Sequence, residues 1–169
     1  MSITLYQVSI PALTRGLTNL AALLDKAAAH AATKKFDPNA LAQSRLFPDM
    51  FPLTRQVQIT CDTAKGAAAR LAGIDNPKHE DNETTLDQLK ARVAKTLEFV
   101  KSVTAAQLKD AETRSIELKF PSSTLKFTGV SYLTDFVLPN FYFHISIVYG
   151  LLRQSGVEVG KNDYLGAIQ

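Results

Sequence analysis

Thr128–Gly156, TGVSYLTDFVLPNFYFHISIVYGLLRQSG, is the most apolar run of the chain. Leu133, Val137, Asn140, Phe141, His144, Val148 and Leu151 recur along it at helical spacing and share one face. A helix this apolar is expected at the middle of a bundle, with other helices around it. Asn140 and His144 stand at i,i+4 on the inward face, so a polar pair is carried inside. Pro139 has no N–H to offer the carbonyl of Asp135, which predicts a kink just before Asn140. Phe136–Leu152, at about 17 residues, is near the lower limit for a membrane span. Pro139, Asn140, His144 and Ser146 would each be costly in lipid, so a buried helix is the better reading.

Three further long helical patterns precede this one. The first runs from Leu5 to about Ala32, with Leu13, Leu17, Leu20, Leu24, Ala27 and Ala31 as its buried stripe. Arg15, Asn19, Asp25 and Lys26 lie on its other face, His30 reads as surface, and Pro11 marks a start or a kink. Asp37-Pro38 caps a short helix over Asn39–Gln43. Asp49 is the expected cap of the second long helix, whose stripe is Leu53, Val57, Cys61, Ala64, Ala68 and Leu71, with Gly73 as its stop. Gln58 and Asp62 lie one position round from that stripe, again at i,i+4. The third helix starts at Thr84 or Thr85, where Thr85-x-x-Gln88 fits a capping box, and carries Leu86, Leu89, Val93, Leu97, Val100 and Val103. Thr104-x-x-Gln107 repeats that box for a short turn.

Between helices two and three, Ile74–Glu83 (IDNPKHEDNE) is a polar connector, read as a mobile surface loop. His79, Glu80 and Asp81 are adjacent there, and adjacent residues do not converge on one ion without a structured loop. Before the last helix the period becomes two: Ile116, Leu118 and Phe120, then Pro121-Ser122-Ser123, then Leu125 and Phe127. That predicts a small β-hairpin, which needs the bundle to pack on. The tail, Val157–Gln169, is apolar enough to lie back on the bundle.

Composition sets the outer bounds. The 169 residues make one domain, with 46% hydrophobic and 21% charged residues, which excludes wholesale disorder. Net charge is +3, and the basic residues are scattered among acids, so no nucleic-acid footprint is visible. Cys61, alone and on an apolar face, reads as a small core residue. No basic-then-apolar signal opens the sequence, and the expected location is the cytoplasm.

Several strings carry more than helix periodicity: LFPDMFPLTRQV (46–57), CDTAKG (61–66), LPNFYFH (138–144) and VEVGKNDYLG (157–166). They resemble an uncharacterised bacterial and fungal family of unknown function within the DinB/YfiT-like metalloenzyme superfamily. The resemblance covers nearly the whole chain. It implies a mainly α four-helix bundle of up-and-down type that often dimerises, so a homodimer is expected. In that superfamily three histidines, one on helix two and an H-x-x-x-H pair on helix four, hold nickel or zinc. Some relatives use the site for thiol-dependent transfer or isomerisation. His144 matches the second histidine of the pair, Asn140 stands at the first position, and helix two has no histidine.

His144 is therefore the candidate catalytic residue, with three readings. It is a buried neutral imidazole bonded to Asn140 or to backbone; or a ligand of a divalent metal completed by Asn140 and Asp62; or a metal-free acid/base. The candidate pocket lies between helices two and four and holds Asn140, His144, Gln58, Asp62 and Tyr142, with Tyr132 and Tyr149 as further lining. Two functions follow. One is binding of a small molecule without the full three-histidine site; the other is a metal-dependent transferase or isomerase.

Overall fold

Thr4 opens the first helix reciprocally. Its hydroxyl accepts the Gln7 N–H at 3.3 Å, and the Gln7 side chain accepts the Thr4 N–H at 2.9 Å. From there α1 (Leu5–Lys34) runs through Pro11 without a break in the computed structural model, which describes residues 3–167. Asp37 caps α2 (Asn39–Ala42) by accepting the Asn39 N–H at 2.9 Å. The cap expected from Asp49 is not made. Pro52 precedes α3 (Leu53–Ala72), and the Leu53 N–H donates to the Ser44 carbonyl at 3.0 Å. A neighbouring turn thus satisfies an end group that a side chain was expected to satisfy. Gly73 ends α3 with φ +68°. Thr85 and Gln88 form the predicted box at the start of α4 (Leu86–Ser102).

A hairpin follows, with β1 (Ile116–Phe120) antiparallel to β2 (Ser123–Phe127) in a register from Ile116↔Phe127 to Phe120↔Ser123. Then comes one 26-residue helix, Gly129–Gln154, in three parts: α5 (Gly129–Ser131), a π-helical stretch Tyr132–Val137, and α6 (Leu138–Gln154). Where a kink was expected just before Asn140, the helix shows this wide stretch ahead of Pro139, in which the Leu138 N–H reaches back to the Leu133 carbonyl. A wider turn accommodates the proline ring against the carbonyl four residues earlier.

The four long helices form a ring in the order α1–α4–α3–α6. Side-chain pairs give their directions. Leu5 at the start of α1 lies 3.5 Å from Glu112, beyond the end of α4, and Leu86 at the start of α4 bonds Asn39, beyond the end of α1. Thr54 at the start of α3 bonds Ala42, and α6 meets α3 antiparallel, His144 on Gln56 and Asn140 on Thr63. The run is up, down, down, up. The four helices and the hairpin before the last are as expected, but the neighbours are not those of a simple up-and-down ring: α1 and α3 are diagonal, and α3 and α4 are parallel. Parallel neighbours need a crossover. The 13 residues of 73–85 span about 40 Å extended, against about 30 Å for the length of α3.

One hydrophobic cluster joins all four helices with Ile116 and Leu118 of β1 and Val157 and Val159 of the tail. The last helix is not the buried centre that its apolarity predicts. Leu133, Val137, Phe141, Val148 and Leu151 are buried, while Tyr142 and Phe143 are exposed, because a ring of four gives each helix two neighbours and an outer face. The tail folds back as α7 (Lys161–Leu165), where Asn19 donates to the Tyr164 carbonyl at 2.9 Å and Lys26 pairs with Asp163 at 2.7 Å. Asn19, expected on a solvent face, is buried by it. Met1 and Ser2, which precede the expected first helix, and Ile168 and Gln169, the end of the expected tail, lie outside the described residues.

Candidate functional site

α3 carries polar residues on two flanks of its apolar stripe. Gln56, Thr60 and Thr63 follow 4-3 spacing and face α6; Gln58, Asp62 and Lys65 follow the same spacing and turn toward α4 and the connector. Two positions are about 200° apart on a helix, so Gln56 and Gln58 point opposite ways.

His144 bonds Gln56, not Asn140. Its Nδ1 lies 2.6 Å from Gln56 Oε1, while Gln56 Nε2 donates to the Phe51 carbonyl at 3.1 Å. Because the amide nitrogen is engaged, Gln56 presents its oxygen, and Nδ1 carries the proton. Nε2 is left as an acceptor with no bond to the described residues. Burial, then the Arg55 guanidinium, lowers the imidazole pKa, so it is neutral near pH 7.

Asn140, one turn earlier, donates to Thr63 Oγ1 at 3.0 Å. It lines a cleft of about 240 Å³ between α3, β1 and the last helix, together with Asp62, Thr63, Arg70, Lys119 and Phe136. Of the five predicted pocket residues, Asn140 and Asp62 meet here; the other three lie elsewhere. His144 lies under the exposed ring of Phe143, 5.2 Å between centroids. Tyr142 lines a separate groove with Arg15, Asn19 and Tyr164. Gln58 accepts from Arg55 at 3.1 Å and donates to Glu83 at 2.9 Å.

That last bond belongs to a network that the sequence did not reveal. The Arg92 side chain is 1% exposed and pairs with Asp62 at 2.9 Å, Asp81 at 3.0 Å and Glu83 at 3.0 Å; it also donates to the Glu80 carbonyl. Arg55 pairs with Asp81, and Lys65 donates to the Pro77 carbonyl. The connector read as a mobile loop is thus strapped along α3 and α4. The signal was Arg92 itself, inside the apolar stripe of its helix between Leu89 and Val93. His79 Nδ1 and Arg92 Nε are buried without partners among the described residues, and burial, then Lys65, Arg92 and Lys95, lowers the His79 pKa.

The donor set does not fit a zinc or nickel centre. The His144 tautomer would suit a ligand, but one imidazole nitrogen is not a site. The Asn140 amide is turned to Thr63 and Asp62 to Arg92, and no group of three His, Cys, Asp or Glu converges among the described residues. Cys61 is no nucleophile: burial pushes its thiol up to about 12, against the opposing pull of Thr96 and Arg92.

Comparison with known proteins agrees with this fold. A DinB family member from Shewanella denitrificans, known from a crystal structure, is 45% identical and superposes with a TM-score of 0.88. The match covers 97% of this chain and 93% of that one. No curated protein matches the sequence. The family of the domain of unknown function DUF1993 matches residues 5–165. With its DinB-like bundle, the chain belongs to the DUF1993 family.

Proposed function

We propose that the protein binds a small organic molecule in the cleft between α3, β1 and the last helix, without a metal. The observation that carries this reading is the cleft's lining. Arg70, Asn140 and Asp62 stand beside Tyr132 and Phe136, the mixture of a few polar groups on an apolar wall that ligand sites use. A metal-dependent transferase has only His144 in its favour, and His144 lies outside that lining. The test is amide-shift mapping on isotope-labelled protein titrated with metabolite pools. Saturable shifts at Thr63, Arg70, Leu118 and Asn140 support the reading; shifts confined to other surfaces, or none, reject it.

The same reading takes the protein as a cytoplasmic homodimer with no membrane or nucleic-acid partner. Phe143 and Phe51 are 53% and 54% exposed beside the His144–Gln56 pair, and a second copy would cover them. Sedimentation that finds only monomer at micromolar concentration removes the dimer.

A further inference from the structure

Arg70 forms no ion pair among the described residues, although two carboxylates line its cleft. Both are engaged elsewhere: Asp62 with Arg92 at 2.9 Å and Lys65 at 3.6 Å, and Glu117 with Lys126 at 3.5 Å. What holds Arg70 is aromatic. Its Nη1 donates to the Tyr132 hydroxyl at 3.1 Å, and its guanidinium lies 6.0 Å from that ring's centroid. Gly66, one turn earlier, leaves the space in which the guanidinium lies back; a Cβ there would collide with it. A guanidinium has five N–H donors in a rigid fork suited to a carboxylate, and Tyr132 takes one.

The rest of the cleft supplies two further features. Lys119 of β1, with no ion pair among the described residues, adds a second cation. Phe136 stacks on Tyr132 at 14° and 6.0 Å, and Phe120, 45% exposed, also lines the cleft, so part of its wall is aromatic. A dianion would also face Asp62 and Glu117, which favours a single negative charge. The volume of about 240 Å³ lies below the range of drug-sized sites, which favours one ring or a short chain.

We infer that the ligand is a small monocarboxylate with an apolar body, its carboxylate on Arg70 and Lys119 and its body along Phe136 and Phe120. This rests on the reading that the cleft is the binding site. Three probes of nearly one shape test it by amide-shift titration: phenylacetate, its uncharged amide phenylacetamide, and the cation phenethylamine. Phenylacetate is expected to shift Arg70, Leu118 and Phe136 saturably and to bind at least tenfold tighter than the amide. Arg70→Gln should remove that preference, Arg70→Lys should keep part of it, and Lys119→Gln, on the exposed hairpin, should weaken it without touching helix packing. Equal binding of acid and amide in the cleft, or a preference that survives both Arg70→Gln and Lys119→Gln, overturns the carboxylate inference and leaves the cleft standing. No cleft shift with any of the three overturns the inference and counts against the cleft itself.

Discussion

His144 binds its proton more weakly folded than unfolded, because burial and Arg55 disfavour the imidazolium. The unfolded chain therefore protonates first as pH falls through about 6.5, and stability drops across that window until the folded imidazole titrates as well. His79 is lowered in the same direction and adds to the slope. Asp81 and Glu83 act in a separate, more acidic window. Burial is the largest single influence on each and raises it, but Arg55 and Arg92 on Asp81, and Gln58 and Arg92 on Glu83, outweigh it. Their contribution is present above the ordinary carboxylate range and is lost as pH falls through their lowered values. Thermal melts followed by circular dichroism should show a lower midpoint at pH 5.5 than at pH 7.5, and a smaller difference in His144→Gln. An unchanged difference in that variant would remove His144 as a source. At this scale the sequence was half legible. The inward direction of His144 followed from helical period, but Gln56-x-x-x-Thr60-x-x-Thr63 and Gln58-x-x-x-Asp62-x-x-Lys65 are equivalent patterns on one helix, and only the position of α6 separates them.

The connector shows the same limit for an element. Its polarity marked it as a link between helices, and polarity cannot distinguish a solvated loop from one tied down by charge. What decides is Arg92, buried and paired with the strap's largely covered Glu83, while Asp62 and Asp81 remain about two-fifths exposed. Truncating one partner of such a cluster leaves the others uncompensated, at about 3–5 kcal/mol for a fully buried pair. With two of the three acids partly solvated, about 3 kcal/mol is expected for Arg92→Met. Urea denaturation measures that loss, and hydrogen exchange should show 74–83 opening first. A loss under about 1 kcal/mol with the connector still protected would mean that the backbone contacts alone hold it. The π-helical stretch was legible in part: Pro139 predicted a kink just before Asn140, and the backbone irregularity observed is a widened turn over Tyr132–Val137.

For the whole molecule, four apolar stripes and a period-two insert were enough to specify helices, hairpin and bundle. Ring order was not legible, since an apolar stripe records that a helix has neighbours and not which ones. Nor was the outer face of the last helix, where Tyr142 and Phe143 look as core-like in sequence as the buried Phe141. The bundle matches a DinB family member over nearly its whole length, yet no three ligands assemble around His144 among the described residues. We therefore propose that this DinB-like bundle works through the Arg70–Asn140 cleft and without a metal centre. Elemental analysis of untagged protein, purified after nickel and zinc supplementation, tests this most directly when wild type is compared with His144→Ala. The prediction is metal well below one equivalent and equal in both. Near-stoichiometric metal in the wild type that disappears in His144→Ala would contradict it.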